Sequence, residues 1–178
     1  MGTWNSRGLR GSFLEELINL TIEQYRTKHL ALIQKVPTPI TPIKIDKETK
    51  QITLAYFDQK STVDYIGVVQ SVPVCFDAKE CAKKSFPLAN IHEHQYEFMR
   101  DFEAQDGVAF LLMYFKSEDV YVYLPFAKLD EFWKRMQNGG KKHFSFDELD
   151  EKYVISTYSG TFLHFLEPLQ TDLSERTE

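Results

Sequence analysis

The chain has 178 residues, is 43% apolar and carries a net charge of −5. That length fits one domain with a sizeable core and no need for disulfides, and the apolar content excludes a disordered chain. The negative balance excludes sequence-blind coating of nucleic acid, which needs a broadly basic surface, but leaves room for a nuclease whose active site gathers carboxylates.

Residues 1–11 read as a basic arm carrying Arg7 and Arg10. Ser12-Phe13-Leu14-Glu15 is a capping box, so a helix is expected from Ser12 to about Lys28, with Phe13, Leu17, Leu20, Ile22 and Tyr25 as its apolar positions. His29 to Val36 is a candidate strand. Pro37-Thr38-Pro39-Ile40-Thr41-Pro42 forbids a helix and a central strand. After it, Ile43–Asp46 and Gln51–Phe57 alternate around a turn at 47–50 and predict a two-stranded arm with Lys44, Lys47 and Lys50 along it. An ordinary hairpin blunted by lysines at a sheet edge would read the same way.

Two more strands, Val63–Val69 and Val72–Lys79, flank Gln70-Ser71. Ser85-Phe86-Pro87 breaks the chain. Ile91, Gln95, Phe98, Met99 and Phe102 then repeat at three and four, predicting a helix from about Asn90 to Ala104. Val108–Phe115 is the longest apolar run and is strand-sized, so no membrane span is expected. Val120–Leu124 is a further strand and Ala127–Gln137 a helix ended by Gly139-Gly140. A short helix over 146–152 and a polar, loose tail at 169–178 complete the expectation. The fold class is α/β: a mixed sheet flanked by helices, as one domain over 1–168. Cys75 and Cys81 lack Cys-x-x-Cys spacing and read as free thiols of a reducing, cytoplasmic compartment.

The chemistry concentrates at Asp64 and Asp77-Ala78-Lys79. Residues facing each other across a hairpin have numbers with a constant sum. A turn centred on Gln70-Ser71 fixes that sum at 141, which Asp64 and Asp77 share. The two carboxylates then face each other, about 5 Å apart at Cβ, and Lys79 points to the same face. Gln-Ser is a poor type I′ turn sequence, which leaves room for a longer loop, but the pairing survives symmetric lengthening. Like charges placed opposite each other destabilise a sheet unless a cation sits between them, and Mg²⁺ takes one or two carboxylates, waters and a phosphate oxygen. Surface acids with a partnering lysine are the bland alternative. Glu15 is a further candidate ligand, in competition with its capping role. His92 and His94, at i and i+2, point to different helix faces and make a poor zinc site. Lys83-Lys84, Arg7, Arg10 and Lys141-Lys142 are candidate phosphate contacts.

With these residues stand others in order: Arg10-Gly11 with Leu14-Glu15; Pro37-Thr38-Pro39; Ala55-Tyr56-Phe57; Ser61-Thr62-Val63-Asp64-Tyr65 and Gly67; Phe76-Asp77-Ala78-Lys79-Glu80; Ser85-Phe86-Pro87-Leu88 with Asn90, His92, His94 and Gln95; and Ala104-Gln105-Asp106-Gly107. The set resembles the RecU family of bacterial Holliday junction resolvases, a branch of the PD-(D/E)xK nucleases. The resemblance runs from about residue 6 to 155.

It implies a homodimer with a restriction-endonuclease-like core and a projecting β stalk at about 37–59 that enters the centre of a four-way DNA junction. It implies that Asp64 and Asp77 bind Mg²⁺ or Mn²⁺, that Lys79 is catalytic, that Glu15 completes the metal site, and that Thr62 and Gln95 assist. Arg7, Arg10, Lys44, Lys47, Lys50, Tyr56, Phe57, Lys83 and Lys84 would contact DNA, and a RecA-type recombinase is a further partner. The family more often has Glu where this chain has Asp77. The expected activity is symmetric, paired nicking of junctions in recombination and repair. The rivals are a duplex-cutting restriction-like or repair nuclease and a non-catalytic junction-binding recombination factor.

Overall fold

A computed structural model describes residues 13–57, 62–156 and 162–176. The capping box at Ser12 and the arm with Arg7 and Arg10 lie outside the described residues. Helix α1 (Phe13–Thr27) buries Leu14, Ile18, Thr21 and Tyr25. That stripe, at spacings of four, three and four, lies one position over from most of the expected one, and Phe13 and Leu20 are half exposed. Thr21 is tolerated inside because its hydroxyl donates to the Leu17 carbonyl and accepts from the Leu163 N–H. The Leu14 N–H, an orphan donor of the first turn, is met by Glu80 Oε1 at 3.0 Å.

Strand β1 (Ala31–Lys35) leads through Pro37 and Pro39 into the hairpin of β2 (Ile40–Ile45) and β3 (Ile52–Phe57). Pro42 sits inside β2, where a register shift follows it, which a two-stranded ribbon permits because each strand is an edge. β4 (Tyr65–Val69) and β5 (Val72–Cys81) form the next hairpin. β6 (Ser85–Pro87), a 3₁₀ turn and helix α2 (Glu93–Glu103) then carry the chain over to β7 (Val108–Phe115), parallel to β5. β8 (Val120–Pro125), helix α3 (Phe126–Gln137), β9 (His143–Ser145), β10 (Val154–Ile155) and helix α4 (Leu166–Arg176) follow.

The main sheet has the order β1-β4-β5-β7-β8-β10, mixed through its one parallel pair. Its central strands are buried on both faces. On one face, Tyr65, Phe76, Phe110 and Tyr123 stack in a row at centroid separations of 4.8, 4.7 and 4.3 Å. Each such pair contributes about 0.5–1.5 kcal/mol beyond the area it buries. Phe165 tilts onto Phe76 and Phe110, and Tyr25 of α1 meets Phe165 edge-on. α1 therefore covers the aromatic face. α2 packs on the opposite face of β5 and β7.

Two expectations give way. The segment 146–152 holds two separate 3₁₀ turns, 146–148 and 151–153, with Asp150 capping the second through the Lys152 N–H. The segment after Pro168 is the helix α4, with Leu169 and Asp172 buried. It reads as polar because its inward acid is matched inside the protein. The Tyr123 hydroxyl donates to Asp172 at 2.6 Å, and Arg176 bridges Asp172 and Glu103.

Candidate active site

Gln70 and Ser71 make the turn between β4 and β5, with φ of 46° and 77°. This is a two-residue turn of the kind that matches strand twist, despite a sequence poor for it. Val69 pairs with Val72 and Tyr65 with Phe76, so the constant sum of 141 holds along the whole ladder. Asp64 lies one residue before β4 and continues this register in another way. Its N–H donates to Asp77 Oδ1 at 2.7 Å, and its own Oδ2 accepts from the Ala78 N–H at 3.0 Å. Each acid thus satisfies a main-chain amide of the other's strand, and the two carboxylates are locked side by side.

Asp77 is wholly buried. Its second oxygen, Oδ2, has no hydrogen bond but lies 3.1 Å from Lys79 Nζ, close enough for charge attraction without hydrogen-bond alignment. Lys79 Nζ also donates to Gln95 Oε1 at 3.3 Å, and the same oxygen accepts the His92 N–H at 3.2 Å. The first turn of α2 is therefore tied to the lysine by one amide oxygen. Burial pushes the Asp77 carboxyl up to about 6; Asp64 adds to that rise, and Lys79 opposes it. A chain that maintains such a pair pays for it in stability, and a divalent cation is the species that would relieve it.

The structure brings together Asp64, Asp77, Lys79 and Gln95. Glu15 lies on α1, which covers the aromatic face, and its charge and that of Asp64 both bear on the Tyr65 hydroxyl. Asp77 and Lys79, by strand alternation, point to the other face, where Gln95 meets the lysine. The Glu15 carboxylate pairs with Lys35 Nζ at 2.9 Å. Among the described residues no group of three or more acid, histidine or cysteine side chains is assembled for a metal. Asp64 and Asp77 are the two hard carboxylates that could hold a divalent cation here, and the Asp77 oxygen left without a hydrogen bond faces Lys79.

Thr62 lies two residues before Asp64, half-buried on the approach to β4. Lys44, Lys47 and Lys50 are exposed on the β2–β3 hairpin, as are Tyr56 and, at 76%, Phe57. Lys83 and Lys84 are exposed beyond the end of β5, and Lys84 pairs with Glu118 at 3.1 Å. The His92 and His94 rings stack on each other at 5.3 Å. Both cysteines are free and buried. No helix among the described residues is long and apolar enough to cross a membrane.

One element near the site escaped the sequence reading. β6 and β9 pair into a short antiparallel ribbon. Its signal was present in Ser85-Phe86-Pro87 and His143-Phe144-Ser145, each an apolar residue between two outward ones, but three residues are too few to weigh. A cleft of about 720 Å³ between β8, α3 and α4 is lined by Tyr123, Asp172 and Arg176 and contains none of the site residues.

The family model described as RecU, recombination protein U, matches residues 9–171. The chain belongs to the RecU family. The Holliday junction resolvase RecU of Listeria monocytogenes serotype 4a is 39% identical over 148 residues, covering 81% of this chain and 74% of that one. The RecU resolvase of Limosilactobacillus reuteri is 42% identical over 137 residues, covering 75% and 67%. That of Leuconostoc mesenteroides is 40% identical over 165 residues, covering 89% and 79%. Among solved structures, the Holliday junction resolvase Hjc of Archaeoglobus fulgidus overlaps with a TM-score of 0.36 at 9% identity, over 63% of this chain and 74% of that one. The family assignment rests on the RecU matches alone.

Proposed function

We propose that this RecU-family chain is a structure-selective endonuclease that resolves four-way DNA junctions in recombination and repair, through metal-dependent hydrolysis of phosphodiesters. The observation that carries the reading is the Asp64–Asp77 pair joined to Lys79, inside a chain of the RecU family. Asp64 and Asp77 would hold Mg²⁺, with Mn²⁺ as a substitute. When bound, the ion polarises the phosphodiester and lowers the pKa of a water. Lys79 brings positive charge to the place where the phosphodiester gains negative charge, and Gln95 fixes that ammonium against Asp77. The main-chain bonds of the two acids keep them from splaying under their mutual repulsion. Glu15, one oxygen of which pairs with Lys35, is the further candidate ligand.

The mixed sheet is taken as a restriction-endonuclease-like core, and the β2–β3 hairpin as the stalk that enters the junction. A homodimer would present two sites related by a two-fold axis, matching the symmetry of a four-way junction and giving paired nicks in opposing strands. Lysines 44, 47 and 50 with Tyr56 and Phe57 would meet the DNA there, and a RecA-type recombinase is a further partner.

The test is cleavage of a synthetic four-way junction against linear duplex, with Mg²⁺ and Mn²⁺ titrated. Wild type is expected to cut the junction in preference to duplex. Asp77→Ala is expected to lose cleavage by roughly 10³-fold or more while still binding the junction. A wild-type protein that cuts duplex equally well, or an Asp77→Ala variant that cuts normally, defeats the reading.

A further inference from the structure

The chain leaves the catalytic strand and comes back to it. β5 carries Asp77 and Lys79 and ends at Cys81; the next thirteen residues make β6, a 3₁₀ turn and the entry to α2. Gln95 then returns to Lys79 Nζ. Both feet of this excursion therefore stand at the active-site lysine. Its first foot is pinned as well, since the Cys81 thiol donates to the carbonyls of Lys83 and Ser85.

A distant piece of chain is sewn onto the excursion. β9 pairs with β6, Phe86 opposite Phe144, and the Leu88 N–H donates to the Lys142 carbonyl while the Phe146 N–H donates to that of Lys84. The ribbon is rooted on α3, where Phe144 stacks on Phe132 at 4.7 Å and Arg135 donates to the His143 carbonyl. The apolar residue of each strand faces inward, so the flanking ones are outward. Lys83 and Lys84 lie before one strand, and Lys141, Lys142 and His143 at the start of the other; all five are exposed. Two basic dipeptides almost sixty residues apart in sequence are thereby placed on one small, rigid ribbon. Glu118 offsets one charge through Lys84. Lys141 and Lys142 carry no such ion pair among the described residues.

We propose that the β6–β9 ribbon is a phosphate track for one duplex arm of the substrate, with Lys141 and Lys142 as its distal grip beside the scissile site. This rests on the endonuclease reading above and adds to it a second DNA contact, apart from the projecting hairpin. In a chain with net charge −5, a local run of exposed lysines, offset only in part by Glu118 at Lys84 and by Glu148 near Lys141, is what lets polyanionic DNA approach. The ribbon is joined by the chain on both sides to residues that hold or carry Lys79, so its place on the surface sets where the arm enters relative to the site.

The experiment is salt-dependent binding of a synthetic four-way junction by wild type and by a Lys141→Ala/Lys142→Ala variant. The comparison variant is Lys128→Ala/Lys134→Ala, which removes the same charge from α3 lysines already paired with Glu131 and Asp130. Loss of two phosphate contacts is expected to lower the slope of log K against log salt by about 1.8 and to weaken binding roughly tenfold or more at physiological salt. Trimming the junction arms should weaken wild type and leave the ribbon variant little changed. The α3 variant should behave as wild type. A ribbon variant with the wild-type slope and affinity overturns the track, as does an α3 variant that loses as much. If wild type itself neither binds nor cuts junctions, the endonuclease reading fails instead.

Discussion

Two of the antiparallel hairpins among the described residues, β4–β5 and β2–β3, are made to opposite specifications. β4–β5 keeps one register from end to end, closes in two residues, and buries Val74 to Asp77 of β5 completely. β2–β3 shifts register twice, closes in a longer turn capped by Asp46, and leaves Ile43, Ile45, Ile52, Leu54, Tyr56 and Phe57 about half exposed or more. The first hairpin needs sub-ångström placement of two acids and a lysine, and gets it from packing. The second belongs to its own two-stranded sheet, separate from the main one. Its apolar, lysine-edged surface suits contact with something outside the chain. Accuracy and reach are thus assigned to different pieces of β-structure.

Three substitutions would sharpen or break that contrast. The largest effect on stability is expected from Phe76→Ala in the first hairpin. It opens a gap in the aromatic row behind Asp77 and should cost about 3–5 kcal/mol by denaturant unfolding. A cost below about 1 kcal/mol would mean that the row does not anchor the site.

Next is Asp77→Asn. The folded-state carboxyl lies near 6, above its unfolded value of about 3.9, so folding takes up a proton between those limits. The stability associated with that proton is fully present below about pH 4 and is lost as pH rises through 6. The neutral amide should therefore be more stable than wild type at pH 7, on the order of 1–3 kcal/mol, with the advantage gone below pH 4. Melting curves across pH 3–8 test this, and a variant less stable than wild type at pH 7 contradicts it.

The smallest stability effect belongs to Phe57→Ser in the second hairpin. Unfolding should shift by no more than about 0.5 kcal/mol. Junction binding should fall by the roughly 1–3 kcal/mol of one stacked base. A folding defect as large as that of Phe76→Ala would erase the distinction between the two hairpins.

The sequence was legible where period and length were strong. The helices near 13–27, 93–103 and 126–137, the strand Val108–Phe115 and the facing of Asp64 and Asp77 could all be read from spacing. It was less legible where a side chain's role depends on a distant partner. Nothing local announces that Glu15 pairs with Lys35, twenty residues on. α4 looked like a loose tail because Asp172 and Arg176 are polar residues made interior by Tyr123 and Glu103. The α1 stripe was placed one position over because Phe13 and Leu20 are as apolar as Leu14 and Ile18, and only the packed sheet distinguishes them.

The turn at Gln70 and Ser71 has a consequence well beyond its own two residues. Phe76 and Asp77 are neighbours in sequence and point to opposite faces of one strand. Whichever of them the register sends to the α2 side decides whether that side of the sheet is a catalytic centre or a patch of hydrophobic core. The turn, six residues upstream, is the gauge that sets this choice. One extra residue there would turn the enzyme inside out, leaving every functional group in the chain and none in its place.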